Sequence, residues 1–334
     1  MPFAYHPNLE AGLAALTGSG ITPPGFPRPI IIPRGDWKKL RETTEAMMSM
    51  AVSIMPLPPG ISTTDYSVTS VDGATIGLRW FVKEGSGPGS AAIYVHGGGM
   101  IMCNLDLYTS IYMNYAAASG IPILGFDFRN APDIPGSMLA EDNFAALTWL
   151  LDHAEEIGVD PARIALMGES GGGGIAAGTM ILARDRGVKV AAQILICPML
   201  DDRNVEPDTF LAPFASWSYD ANYTAWTAVL GEVRGSADVS PVVAPARLND
   251  CAGLPPTYID TNELDIFRDE DMAYAIKLLD AGIHVDFHLY PGVPHGWEGI
   301  IPNSELAQRA MSNRVAALRS FCIVSNLGPC EAKY

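Results

Sequence analysis

The stretch Arg163–Gly178, RIALMGESGGGGIAAG, sets one serine among glycines, between a short apolar run and a run of small residues. Glycine inside a regular element costs about 1 kcal/mol relative to alanine, so glycines this dense need a reason. Gly168-Glu169-Ser170-Gly171-Gly172 fits G-x-S-x-G, and its flanks read as a strand (RIALM) and a helix (GIAAGTMILARD). A serine at the tip of a sharp strand-to-helix turn needs small neighbours, because side chains there would collide with the adjoining strand and helix. Its hydroxyl then stands above the sheet over a helix N-terminus that favours developing negative charge. Ser170 is therefore the expected nucleophile, and Gly173 and Gly174 are expected to let the helix press on the sheet.

A second glycine cluster precedes it. His96-Gly97-Gly98-Gly99 closes the apolar run AAIYV, and successive glycines free backbone N–H groups to point into a cavity. With the N–H of Gly171 they would make an oxyanion hole. A serine nucleophile also needs a base and an orienting acid, later in the chain in the order acid, then histidine. Three histidines follow Ser170. His284 and His288 lie in or beside the strand-like HVDFHLY and read as structural, whereas His295 lies in the loop YPGVPHGW and is the expected base. For the acid, YIDTNELDIFRDED offers Asp260, Glu263 and Asp265. Asp265 suits a loop beyond a strand end, Asp260 falls within or at that end, and Glu263 competes; spacing does not decide among them.

These groups need a frame. DYSVTSVDGATIGLRWFV alternates apolar and polar residues about Asp72-Gly73, the pattern of an antiparallel hairpin. From residue 91 onward short apolar runs (AAIYV, IPILGFDF, RIALM, AAQILIC, PPTYID, VDFHLY) alternate with helical segments near 107–119, 142–158, 172–186, 268–281 and 304–321. Such alternation predicts an α/β protein, a mostly parallel sheet with helices on both faces. In the helix of DNFAALTWLL, Phe144, Leu147, Leu150 and Leu151 share one face. Residues 1–60 are rich in Pro and Gly, with helix-like patches at Asn8–Leu16 and Trp37–Met50. Leu40, Thr43, Met47 and Met50 are expected as a packing face of the second. The segment Asp201–Gly231 breaks the alternation and is aromatic-rich, as expected of an excursion from the sheet and part of a lid.

Composition narrows the field. The 334 residues carry 37 acidic and 21 basic side chains, a formal charge of −16. Nucleic-acid binding and attraction to an anionic membrane are therefore not expected. No apolar run reaches the roughly 18 residues of a membrane span, and the N-terminus lacks the pattern of a signal peptide. Five scattered cysteines without a CxxC pair predict neither a zinc site nor a disulfide framework, but free thiols in a reducing, cytoplasmic setting.

HGGG, GESGG, NELDIFRDED and YPGVPHGW, in this order and spacing, resemble the hormone-sensitive lipase family of α/β-hydrolases, which includes bacterial and fungal carboxylesterases. FRNAPD and AEDNFAALTWL resemble further stretches of that family, and the resemblance spans roughly residues 60–320. It implies an α/β-hydrolase fold, with a mostly parallel central sheet flanked by helices and a helical cap. Residues 1–55 would form one part of the cap, and 56–334 a catalytic domain with a cap insertion at about 201–231. It places the acid on Asp265 and the oxyanion donors on Gly98, Gly99 and Gly171, with Gly97 shaping the turn and His96 bracing the loop. Two departures stand out: the family's usual elbow reads Gly-Asp-Ser-Ala-Gly-Gly, and Glu169 and Gly171 here replace Asp and Ala.

The implied activity is carboxylic ester hydrolysis without metal or cofactor, on small to medium apolar esters or lactones. Met100, Met102 and Met113, with aromatics such as Phe214, Trp217 and Tyr219, are the expected pocket lining. Methionine's adaptability suits a bulky or irregular apolar group. Dimers through the last sheet edge are frequent for this fold, so a homodimer is expected by analogy. The rival readings are a ligand-binding protein and a non-hydrolytic biosynthetic enzyme on the same fold. The first is disfavoured because Ser170, Asp265 and His295 are all kept.

Overall fold

A computed structural model describes residues 3–18, 32–87 and 89–323. An eight-stranded sheet organises the chain, in the order β1-β2-β4-β3-β5-β6-β7-β8. Its strands are β1 (Ile61–Thr69), β2 (Thr75–Lys83), β3 (Gly89–Val95), β4 (Ile123–Phe126), β5 (Val159–Glu169), β6 (Ala192–Ile196), β7 (Thr257–Asn262) and β8 (Val285–Tyr290). The helices are α1 (Pro7–Gly18), α2 (Trp37–Ile54), α3 (Thr109–Ser119), α4 (Ser137–Asp152), α5 (Gly171–Asp185), α6 (Tyr219–Leu230), α7 (Arg268–Asp280) and α8 (Glu305–Ile323).

The expected hairpin is present. β1 and β2 pair antiparallel from Ile61↔Lys83 to Thr69↔Thr75, and Gly73 takes a left-handed φ of 86° in the turn. β2 also runs antiparallel to β4, and every pair from β4 to β8 is parallel. The runs read as buried strands are buried: Ala91–Val95 and Ile164–Met167 expose nothing. Parallel strands covered on both faces need such uninterrupted apolar sequences. On α4, Leu147 and Leu150 are buried in the core, and Phe144 and Leu151 pack at its margin.

The glycine-rich start of α5 explains how the helix seats on the sheet. A Cβ on Gly172 would run into the carbonyl oxygens of Val95 and His96 at the end of β3. One on Gly174 would run into the carbonyl of Met199, just past β6. The close approach brings the helix N-terminus to the C-terminal ends of β3 and β6, where the loops of interest emerge.

Two elements stand outside this layered body. α2 begins with Asp36 capping the N–H of Lys39 at 3.0 Å. Its buried face differs from the expected one: Met50 is 73% exposed, whereas Leu40 is in the core and Met48 packs against it. α2 runs on to Ile54, and the side that meets the loop after β3 carries Arg41, Glu45 and Met48, one helical turn apart in succession. The segment after β6 leaves the sheet, as expected, and contains α6. Arg34 ties the two regions together, pairing with Asp220 at 2.7 Å and lying 4.5 Å over the ring of Tyr223. Residues 19–31, within the expected N-terminal part of the cap, lie outside the described residues.

Cys103, Cys197 and Cys251 are buried free thiols; Cys330 and the side chain of Cys322 lie outside what is described. Among the described residues no helix is long and apolar enough to cross a membrane.

Candidate active site

Ser170 sits between the end of β5 and the first residue of α5, with φ 53° and ψ −125°. A non-glycine residue there stores about 1–3 kcal/mol of backbone strain, and the neighbours over-determine it. Its N–H donates to Ile196 O at 2.9 Å, and its carbonyl accepts from Met199 N at 2.9 Å and Gly174 N at 3.2 Å. Both sides of the turn are thereby stitched to β6 and α5, and the hydroxyl is held up from the sheet.

The loop after β8 brings His295 over it. Nε2 lies 2.8 Å from Ser170 Oγ, and Nδ1 lies 2.7 Å from Asp265 Oδ2. Asp265 is buried and reached by two further donors, Phe267 N at 3.1 Å and Asn262 Nδ2 at 3.2 Å. This arrangement orients the imidazole with Nδ1–H towards the carboxylate and leaves the Nε2 lone pair for the serine proton. Burial works against a charged His295. The Asp265 carboxylate, with smaller help from Glu169 and Glu298, outweighs that effect and raises its pKa above 6.5.

The competing carboxylates are engaged elsewhere. Asp260, on β7, takes a two-pronged bond from Arg314, at 2.6 and 3.1 Å. Glu263 accepts from Gly292 N at 2.8 Å and so shapes the loop that leads to His295. His288 is on β8 beside Asp286, at 3.0 Å, and His284 is exposed at the strand's start.

Across from His295, the loop after β3 turns back at Gly98 (φ 111°) and Gly99 (φ 57°), conformations that call for glycine. Gly171 touches it: a Cβ there would lie 2.8 Å from Gly99 N and 2.5 Å from Met100 N. The backbone nitrogens of Gly99 and Met100 thus lie against the first residue of α5, which directly follows Ser170. His96 supports the loop from below. Its Nδ1 donates to Gly97 O at 2.7 Å, its ring stacks on Phe128 at 4.1 Å, and burial pushes its pKa down to about 4.

Several supports had no sequence signal. Glu169 is clamped by two buried tyrosines, accepting from Tyr94 OH at 2.5 Å and Tyr108 OH at 2.8 Å. From α2, Arg41 donates to the carbonyls of Ile101 and Ala131, and Glu45 accepts from Cys103 N at 2.9 Å. Ser216 Oγ donates to the carbonyl oxygen of His295 at 2.5 Å. These contacts join residues far apart in the chain, and only the unusual Glu169 was visible as a departure.

The six pocket candidates separate. Met100 and Met102 are fully within the core, and the Met100 methyl ends against Gly174 of α5. Tyr219 is also buried. Trp217 and Phe214 keep part of their surface open; Trp217 lies against Gly99, and Phe214 meets Tyr5 edge-on at 5.2 Å. Met113, on α3, is 8% exposed and belongs to the core.

Cys197 lies unexpectedly near the His295–Asp265 pair: its Sγ, an Asp265 oxygen and a His295 nitrogen fall within 4.8 Å of one another. As metal ligands they are poorly matched. Burial, then the nearby Asp265 carboxylate, pushes the Cys197 thiol well up, and a thiol that keeps its proton binds metal weakly. The other two donors are already bonded to each other.

Residues 92–299 match the family model described as the alpha/beta hydrolase fold. The chain is 32% identical to esterase LipI of Mycobacterium tuberculosis over 231 residues, 68% of this chain and 71% of that protein. Carboxylesterase NlhH of the same organism is also 32% identical over 231 residues, covering 68% and 72%. Among solved structures, a bacterial heroin esterase superposes with a TM-score of 0.83 at 32% identity, covering 96% of this chain and 98% of that one. A hyperthermophilic esterase from Pyrobaculum calidifontis gives 0.80 at 28% identity, covering 96% and 99%. Fold, motifs and relatives agree, and the chain belongs to the hormone-sensitive-lipase-like carboxylesterases of the α/β-hydrolase fold.

Proposed function

We propose that this carboxylesterase cleaves small to medium apolar carboxylic esters or lactones through Ser170, His295 and Asp265 and an acyl-enzyme. The observation that carries the reading is the pair of short bonds from Ser170 Oγ to His295 at 2.8 Å and from His295 to Asp265 at 2.7 Å. Ser170 Oγ attacks the ester carbonyl as His295 Nε2 takes its proton. Asp265 holds the tautomer and stabilises the imidazolium. The N–H groups of Gly98, Gly99 and Gly171 receive the oxyanion, each such donor being worth roughly 10²–10³ in rate. His295 then protonates the leaving alcohol, and a water activated by the same imidazole releases the acid.

In this reading α2 and the 201–231 insertion act as the cap, and the open faces of Trp217 and Phe214 line the substrate side. A p-nitrophenyl ester series from acetate to decanoate tests the proposal, with Ser170→Ala and His295→Ala. Turnover by the wild type, abolished in both variants, supports it; ¹⁸O from labelled water must also enter the acid product. Turnover that survives Ser170→Ala, or product without the label, refutes it.

A further inference from the structure

Trp217 stands on the cap side of the Gly98–Gly99 loop. Two carbons of its indole, Cη2 and Cζ2, lie 2.9 Å from the place a Cβ on Gly99 would occupy. The ring edge therefore rests against the peptide that carries one of the oxyanion donors, and no substrate group passes between them. An unanchored tryptophan could swing away from such a position. This one is anchored: Nε1–H donates to Asn222 Oδ1 at 3.2 Å.

Asn222 is itself fully buried on α6, and its Nδ2 donates to Asn204 O at 2.6 Å. Asn204 Nδ2 donates in turn to Ile266 O at 2.7 Å and to Glu270 Oε2 at 2.7 Å. The other oxygen of Glu270 accepts from Leu200 N at 2.7 Å and Asp201 N at 3.1 Å. A continuous polar chain thus runs from the indole beside the oxyanion loop to Ile266, the residue after Asp265. The same stretch of cap is fastened a second time, through Ser216 on the His295 carbonyl at 2.5 Å. Buried polar groups satisfied in this way hold one geometry, because each broken link leaves a donor or acceptor stranded.

We infer that Trp217 is a specificity-determining wall, held in place by Asn222, that confines the enzyme to esters compact on the Gly99 flank of the site. The inference rests on the esterase reading and deepens it. Trp217 would touch substrate; Asn222 is a positioning residue that acts through the ring. One methylene that an apolar site admits or refuses changes kcat/KM roughly 10- to 200-fold, so removal of a whole indole should be plain in a substrate series.

The experiment measures kcat/KM for p-nitrophenyl acetate, butyrate and octanoate, and for acetates of ethyl, cyclohexyl and naphthyl alcohols. The proteins are wild type, Trp217→Ala, Asn222→Ala and the double variant. In Trp217→Ala the bulky-to-compact ratio should rise at least about tenfold in one of the two series. Asn222→Ala should move it in the same direction by less, and the double variant should match Trp217→Ala, since Asn222 has nothing left to hold. If Asn222→Ala does not fold, Trp217→Phe replaces it, keeping a ring but losing the N–H; its ratio should fall between wild type and Trp217→Ala. Ratios unchanged in both series for Trp217→Ala overturn the inference, as does an Asn222→Ala shift equally large without the indole. Failure of the esterase reading looks different: wild type inert on every ester, or activity that survives Ser170→Ala.

Discussion

The hydroxyl of Ser216 donates to the backbone carbonyl of His295 at 2.5 Å, so the loop that carries the proposed base is fastened to the segment between β6 and α6. A histidine that must swing between serine and leaving group works only if its backbone stays put. One hydrogen bond of this kind contributes about 0.5–1.5 kcal/mol. If that energy holds the reactive geometry, Ser216→Ala lowers kcat about two- to tenfold with KM little changed. Steady-state kinetics on a good ester decides it; a change confined to KM would place Ser216 in binding instead.

The pH profile follows from the environment of His295. Burial opposes its charge, but Asp265 outweighs burial and the folded-state pKa lies above 6.5. In the proposed mechanism only neutral His295 accepts the serine proton, so kcat/KM should rise with pH along a limb whose midpoint lies above 6.5. In Asp265→Asn burial is left without its main counterweight, and the limb should move to lower pH while the rate falls by roughly 10⁴. Stability runs the other way. A raised folded-state pKa contributes stability that is complete below the unfolded value and fades as pH rises through the folded one. Wild type should therefore lose this contribution over the window in which it becomes active, and urea titrations across that window test the sign.

Gly171 carries a prediction that the family's usual alanine would not suggest. A methyl group here would lie 2.5 Å from Met100 N and 2.8 Å from Gly99 N, and backbone atoms cannot turn aside as a side chain does. Gly171→Ala should displace the Gly98–Gly99 loop and lower kcat by on the order of 10², the cost of one misplaced donor. The variant should remain folded, with an unchanged far-ultraviolet circular dichroism spectrum. Wild-type kcat would mean that the loop yields freely and that the close contact has no catalytic weight.

What could be read from sequence was what local chemistry encodes. Ser170 and its glycines fall within one short stretch, and His295 falls in a Pro/Gly loop after an apolar run, so both could be placed at strand ends. The acid was harder, because Asp260, Glu263 and Asp265 crowd one segment and differ only in their partners. Those partners lie elsewhere: Arg314 captures Asp260, and Gly292 N captures Glu263. Helical spacing assigned Met50 to the packing face of α2, yet the helix turns Met48 inward, next to Cys103. Which stripe of an amphipathic helix is buried depends on the surface it meets. The supports from Arg41, Glu45 and Ser216 are of the same kind, each made across the fold to a backbone group that any sequence would supply.

Arg314, on α8, gives the stability counterpart. It is 5% exposed and satisfies two carboxylates at once, Asp260 at 2.6 and 3.1 Å and Glu298 at 2.6 Å, and Tyr258 OH adds a bond to Asp260 at 2.9 Å. Glu298 lies in the turn Trp297–Gly299, directly after the His295 loop. Arg314→Leu would leave Asp260 buried without its cation, a loss of about 3–5 kcal/mol in unfolding free energy. Pairing it with Asp260→Leu removes the stranded charge and should recover much of that loss, since a buried ion pair is often no better than well-packed apolar groups. Urea unfolding of the two variants measures both effects. A single variant that costs less than about 1 kcal/mol would show that Asp260 takes up a proton at little expense when Arg314 is gone.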